Sequence, residues 1–341
     1  MRKIWKAGTM LVASMALVSY SVISFADVTK PTVKKASAAN ARLASKPKVK
    51  IKAKAKKHVA HVSHTSTRVH RTLHASEGTG ALQLQSSAVL VFDEQAAKPL
   101  FAKNSTTTQS IASITKLMTA MVVLDAKLPM DEMITVENSD VDTLRGSSSR
   151  LAVGTTLNRG EMLRLALMSS ENRAASSLAR TYPGGTPAFV TAMNHKAVTL
   201  GMQHTHFVDS SGLHAENVST AEDLVKMVTA GYRYETIREY TTTVAHDVEV
   251  GSTRRSLAFK NTNALVKDKE WDIGLSKTGF ITEAGRCLVM QVNIASKPVI
   301  IVLLDSIGKY TRIGDANRIK KWVENTNGGR VAKAIKGSND V

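Results

Sequence analysis

Cysteine is all but missing: Cys287 stands alone in 341 residues, which excludes any intrachain disulfide. It lies in the apolar run Cys287-Leu288-Val289-Met290, where a thiol is expected to be buried and inert. Acids are missing from the first 80 residues apart from Asp27 and Glu77. Large apolar side chains are too sparse between residues 27 and 80 to bury a core there. The apolar stretch from Met10 to Ile23 falls short of the ~20 residues that a membrane span requires. No internal repeat is visible.

The charge is one-sided in a particular place. The chain carries a formal +18, which invites a nucleic-acid reading. Residues 27–80, however, hold thirteen Lys and Arg against two acids, a net of +11, and residues 1–26 add +3. That leaves +4 for residues 81–341, so the basicity belongs to an arm and not to the body. Residues 1–26 read as a cleaved secretory signal: Arg2, Lys3 and Lys6 precede the apolar stretch, and Ser24-Phe25-Ala26 has small residues at the cleavage positions. Export to the periplasm is therefore expected, and a nucleic-acid partner is not.

Residues 27–82 read as a disordered arm rich in Lys and His, with Lys50, Lys52, Lys54 and Lys56 alternating. His58, His61, His64, His70 and His74 lack Cys or acid partners and make poor metal ligands. Such an arm suits an anionic envelope surface, whether polymer or lipid headgroups.

The body is expected over residues 83–327, with residues 328–341 as a flexible tail. Ala88–Asp93 and Pro99–Ala102 read as a strand pair, and Ser113 to Leu124 as an apolar, buried helix. Short strands and turns follow over 133–157. Helices are expected over 159–167 (capped by Thr156 or Asn158), 173–180, 186–199 and from Ala221, whose first turn carries Glu222 and Asp223. From Val244 the pattern turns to strands, at 244–250, 273–277, 287–294 and 299–304, before a closing helix over 312–325. Strands at both ends and helices between them predict an α+β fold. One sheet is built from distant segments, with a helical subdomain inserted.

Three short motifs carry chemistry. Ser113 and Lys116 stand three apart, on one face of a helix. A serine hydroxyl needs a base, and a desolvated lysine one turn away can serve. The spacing alone is weak: Ser45-Lys46-Pro47-Lys48 repeats it in a Pro-interrupted stretch that no helix would hold. Ser170-Glu171-Asn172 falls at the break between two helices, where Ser170 and Asn172 also read as ordinary capping residues. Glu171 is expected to face solvent or pair with a neighbour. Lys277-Thr278-Gly279 ends a strand-like run, where a solvated lysine and a turn are the plain alternative. Lys116 also reads, alone, as a snorkelling side chain. Together, in this order, the three match the Ser-x-x-Lys, Ser-x-Asn and Lys-Thr-Gly signature of penicillin-binding proteins and β-lactamases.

On these motifs the chain resembles the low-molecular-mass penicillin-binding proteins, the serine D,D-peptidases of peptidoglycan. Phe207–Leu213 and Asn261–Leu265 also look like that family. The stretch Met168–Ala175 is most similar to its D-alanyl-D-alanine endopeptidase branch; the carboxypeptidases usually carry Gly or Asp where Glu171 stands. They also carry a β-domain and an amphipathic helix beyond the body, for which the stretch after Asn327 is too short.

The resemblance implies a β-lactamase/D,D-peptidase-like fold with a mainly antiparallel sheet flanked by helices. Ser113 becomes the nucleophile, Lys116 its base, Ser170 a proton bridge and Asn172 an orienting amide. Lys277, Thr278 and Gly279 receive substrate, Phe280 and Ser113 offer backbone N–H groups to an oxyanion, and Arg312 assists with a carboxylate. Peptidoglycan stems and β-lactams are the implied partners, with no metal and no organic cofactor. A D,D-carboxypeptidase and a non-catalytic wall-binding protein remain alternatives. A β-lactamase is disfavoured, since no Glu-x-x-x-Asn loop lies between Asn172 and Lys277.

Overall fold

Two groups of strand-forming residues at opposite ends of the body build one sheet. The computed structural model describes residues 82–250 and 255–338; the leader and the arm lie outside the described residues. The chain opens with hairpin β1 (Ala88–Asp93) and β2 (Lys98–Lys103) and a short β3 (Gln109–Ser110). A 3-10 turn (Ala112–Thr115) leads into α1 (Lys116–Asp125). Next come β4 (Met133–Thr135), β5 (Thr156–Asn158), α2 (Arg159–Met168), α3 (Asn172–Arg180) and α4 (Gly185–Thr199). Then follow β6 (Val218–Ser219), α5 (Ala221–Gly231), α6 (Glu235–Thr242), β7 (Ala245–Val250) and β8 (Arg255–Lys260). The chain ends with β9 (Asp272–Ile281), β10 (Gly285–Ile294), β11 (Lys297–Ser306) and α7 (Thr311–Ser338).

The main sheet is antiparallel, in the order β2-β1-β11-β10-β9. Side chains alternate between its faces, because a strand has a period of two. Leu90, Val289 and Val302 face the helices, while Val91, Leu288 and Leu303 face α7 through Ala316, Ile319 and Val323. Helix α1 is buried from Lys116 through Val123, as an all-apolar helix at the centre of a domain should be. The Asn158 side chain caps α2 by accepting from the Glu161 N–H at 2.7 Å, and Thr220 caps α5 in the same way through Asp223.

The structure departs from the sequence reading in four places. Ser113 sits in the 3-10 turn rather than in the α-helix proper, with Ala112 just before it in a left-handed conformation (φ 47°). The 244–250 segment does not join the main sheet; it pairs with β8 in a separate ribbon. Strand β9 runs four residues past the expected end, through the polar Lys277-Thr278-Gly279 that disguised it. Helix α7 continues to Ser338, so residues 328–338 are helix rather than tail. No proline follows Pro298 to stop it, and Ala332, Lys333, Ala334 and Lys336 are good helix formers. Among the described residues, no helix is long and apolar enough to cross a membrane.

Candidate active site

The three motifs meet. The Lys116 ammonium nitrogen donates to Ser113 Oγ at 2.9 Å, to Asn172 Oδ1 at 2.7 Å and to the Ser211 carbonyl at 2.6 Å. Lys277 Nζ donates to Ser170 Oγ at 2.9 Å and to the Thr278 carbonyl at 2.9 Å. Ser170 reaches that position because it adopts a left-handed conformation (φ 63°) in the turn between α2 and α3. For a non-glycine residue this conformation costs roughly 1–2 kcal/mol. Ser169 helps to offset the cost by donating through N and Oγ to the Leu165 carbonyl.

Both lysines are fully buried and neither forms an ion pair with a carboxylate among the described residues. Desolvation therefore governs their protonation. Burial lowers the Lys116 pKa to about 7, while the Asp209 and Glu171 charges pull it back up. Burial also takes Lys277 well below its ordinary value, and Lys116 and Arg312 push it further the same way.

Asp209, to which the sequence reading gave no role, organises this corner. Its carboxylate accepts the backbone N–H groups of Ser211 (2.6 Å), Gly212 (2.5 Å) and His214 (2.8 Å). That turn delivers the Ser211 carbonyl to Lys116. It also presses Gly212 (φ 81°) against the nucleophile: a Cβ there would lie 2.0 Å from the Ala112 carbonyl oxygen. Gly279 closes the other side, since its Cβ would stand 2.9 Å from the Ile111 oxygen and 3.1 Å from Ser113 N. The expected reason for Gly279 was approach of substrate; the approach the structure requires is to the Ser113 turn.

Glu171 is buried and accepts from Ser149 Oγ at 2.5 Å, so it pairs with a neighbour rather than facing solvent. Asn172 also donates to Ser147 Oγ at 3.0 Å, and Thr278 Oγ1 donates to Thr262 Oγ1 at 2.7 Å. Arg312 is turned toward main chain, with Nη1 within 3.3 Å of the Gly279 carbonyl and 3.4 Å of the Cys287 carbonyl. It does not line the cleft in front of Ser113. That cleft, about 430 Å³, runs between Arg145 and Ser147 on one wall and Phe280, Ile281 and Thr282 on the other. The Phe280 ring is half exposed, with the Arg286 guanidinium 4.5 Å from its centre. Cys287 lies fully buried behind Gly279, and burial raises its thiol to about 12, so it is inert. No group of three His, Cys, Asp or Glu side chains among the described residues could hold a metal ion.

A buried serine–lysine pair backed by a second serine–lysine pair is a site for acyl transfer. The model of the D-alanyl-D-alanine carboxypeptidase family matches residues 74–308. The chain belongs to that family. This peptidase is 49% identical over 242 residues to the D-alanyl-D-alanine endopeptidase of Pseudomonas aeruginosa, covering 71% of this chain and 78% of the relative. It is 46% identical to the Escherichia coli protein of the same name, with the same coverage. Among solved structures, the DD-transpeptidase of a Streptomyces strain superimposes with a TM-score of 0.67 at 28% identity, over 72% of this chain and 98% of that one. A penicillin-binding protein from Listeria monocytogenes in its cefotaxime-bound form gives 0.60 at 27% identity, over 71% and 98%. The α+β fold of the D,D-peptidases expected from the motifs is the fold of this chain.

Proposed function

We propose that this peptidase is an exported serine D,D-endopeptidase that hydrolyses D-alanyl peptide cross-links of peptidoglycan. The observation that carries the reading is a fully buried Lys116, its pKa brought down to about 7, in hydrogen-bond contact with Ser113. Ser113 Oγ attacks the D-alanyl carbonyl and its proton passes to neutral Lys116. Ser170 relays a proton to the departing amine, and the C–N bond breaks to leave an acyl-enzyme. Water then attacks the ester carbonyl while Lys116 takes its proton; the bond from the carbonyl to Ser113 Oγ breaks, Lys116 returns the proton to that oxygen, and the acid product leaves. The backbone N–H groups of Ser113 and Phe280 serve the oxyanion, each worth on the order of 3 kcal/mol in the transition state. Lys277 and the Thr278 hydroxyl receive the substrate carboxylate, whose negative charge favours the protonated amine that burial disfavours. Arg312 contributes positive potential from behind Gly279.

The endopeptidase relatives favour cross-links as substrate; the description of the family itself favours a second reading, trimming of terminal D-alanine. Cross-linked muropeptide dimers and monomeric pentapeptides separate the two. Release of monomers from dimers is the expected result, and loss of D-alanine from pentapeptides alone refutes it. Mass mapping after β-lactam treatment is expected to find the acyl group on Ser113, and Ser113→Ala to abolish labelling while the protein stays folded. Residues 1–26 direct export to the periplasm, and residues 27–82 tether the enzyme to anionic envelope. Deleting residues 27–80 is expected to weaken wall retention and to leave acylation intact; loss of acylation refutes a purely tethering arm.

A further inference from the structure

Among the described residues, Arg145 is the one charged side chain on the wall of the cleft in front of Ser113. Its guanidinium takes the Glu283 carboxylate in both forks, Nη1 to Oε2 at 2.9 Å and Nη2 to Oε1 at 3.0 Å. Nε donates to the Leu213 carbonyl, in the turn that packs on Ser113 through Gly212. The loop carrying Arg145 is itself set in advance. The Asp142 carboxylate accepts the N–H groups of Leu144 and Arg145, both at 2.9 Å, and of Ser147 at 2.8 Å. Partial burial opposes the Asp142 charge, but a hydrogen bond from the Ser147 side chain together with these backbone bonds holds its pKa down.

Glu283 is placed differently. It lies in the turn between β9 and β10, and about half of its side chain is exposed. The Arg145 side chain is mostly buried while half of Glu283 is open to solvent, so the carboxylate is the partner of this pair that another anion can replace. A planar fork that already holds a carboxylate fits the geometry of an incoming one.

The position bears on which carboxylate. On the function proposed above, on which this inference rests, the departing amine passes Ser170. The acyl portion therefore extends the opposite way, into the cleft that Phe280, Ile281 and Thr282 line on one side and Arg145 on the other. We propose that Arg145 is a specificity-determining residue that receives a carboxylate carried on the residue preceding the acylating D-alanine, with Glu283 displaced from the guanidinium. The same fork favours β-lactams whose acylamido side chain bears a carboxylate.

The test uses two penicillins that differ only in a carboxylate or a carboxamide on the acylamido side chain. The readout is the second-order acylation rate of the purified enzyme. The wild type is expected to react several-fold faster with the carboxylate form. Glu283→Gln should widen that ratio to about tenfold, the scale of one charge-assisted hydrogen bond. Arg145→Gln should bring the ratio to within about twofold of one, chiefly by lowering the rate with the carboxylate form. A wild-type ratio near one overturns the inference, as does a ratio that survives Arg145→Gln. Collapse of both rates in that variant also overturns it, because Arg145 would then support the cleft rather than read its contents. Acylation by penicillin does not depend on whether dimers or pentapeptides are cleaved, so failure of the endopeptidase reading is seen separately.

Discussion

Lys116 shows how one buried amine is tuned. Desolvation drives it down, and two carboxylates that do not touch it hold it near the middle of the physiological range, at about 7. Only the neutral amine can take the Ser113 proton, so acylation is expected to rise with pH through about 7. Removing a neighbouring anion disfavours the ammonium and lowers the pKa further. Glu171→Gln, which keeps an acceptor for Ser149, is therefore expected to move the midpoint of the acylation–pH profile to lower pH. A stopped-flow profile with a chromogenic β-lactam measures this; an unmoved or rising midpoint contradicts the electrostatic role.

At the scale of elements, the site is an encounter between the turn before α1, the turn between α2 and α3, and strand β9. Gly279 sets how closely β9 meets the first of these. Gly279→Ala is expected to push the strand from Ser113 by a few tenths of an ångström. A fall in acylation rate of tenfold or more should follow, with a smaller loss of thermal stability, because misplacement of reacting groups is costly. Equal losses in rate and stability would point to general unfolding instead.

The motif residues were legible only together, as a match to a known signature; each alone also read as a cap, a strand end or a snorkelling lysine. Strand β1 and most of the helices, whose apolar periods are clean, were legible by themselves. The polar end of β9 was not, since Lys277-Thr278-Gly279 breaks the apolar pattern that marks a strand. Asp209, Arg145 and Ser147 were hidden for another reason. They act through loops, where no periodicity shows which side chain turns inward. Phe207–Leu213 was noticed only by resemblance, and its work is done by backbone groups: the Ser211 carbonyl and the turn on Asp209.

At the scale of the molecule, the first and last parts of the body are fastened to each other. Strand β1 pairs with β11, and the buried Asp315 on α7 accepts Ser86 N at 2.7 Å, Ser86 Oγ at 2.6 Å and Gln85 N at 3.1 Å. Desolvation opposes its charge, but these hydrogen bonds win and hold its pKa below the ordinary carboxylate range. A depressed carboxyl contributes stability that is complete above its unfolded pKa of about 3.9 and is lost as pH falls through the folded value. Asp315→Asn is expected to cost about 2–3 kcal/mol at neutral pH, as lost charge-assisted bonds to buried donors do, and less in strong acid. Urea unfolding at pH 7 and pH 3 checks both; equal costs at the two pH values would contradict the assignment.

The pairing of β1 with β11 also fixes a birth order. A ribosome delivers the serine long before the strand that must lie against it, and the opening hairpin waits unpartnered until the final strand of the sheet arrives. A chain that stops short of residue 297 lacks the strand that joins the opening hairpin to β10 and β9, and its main sheet stays in two pieces.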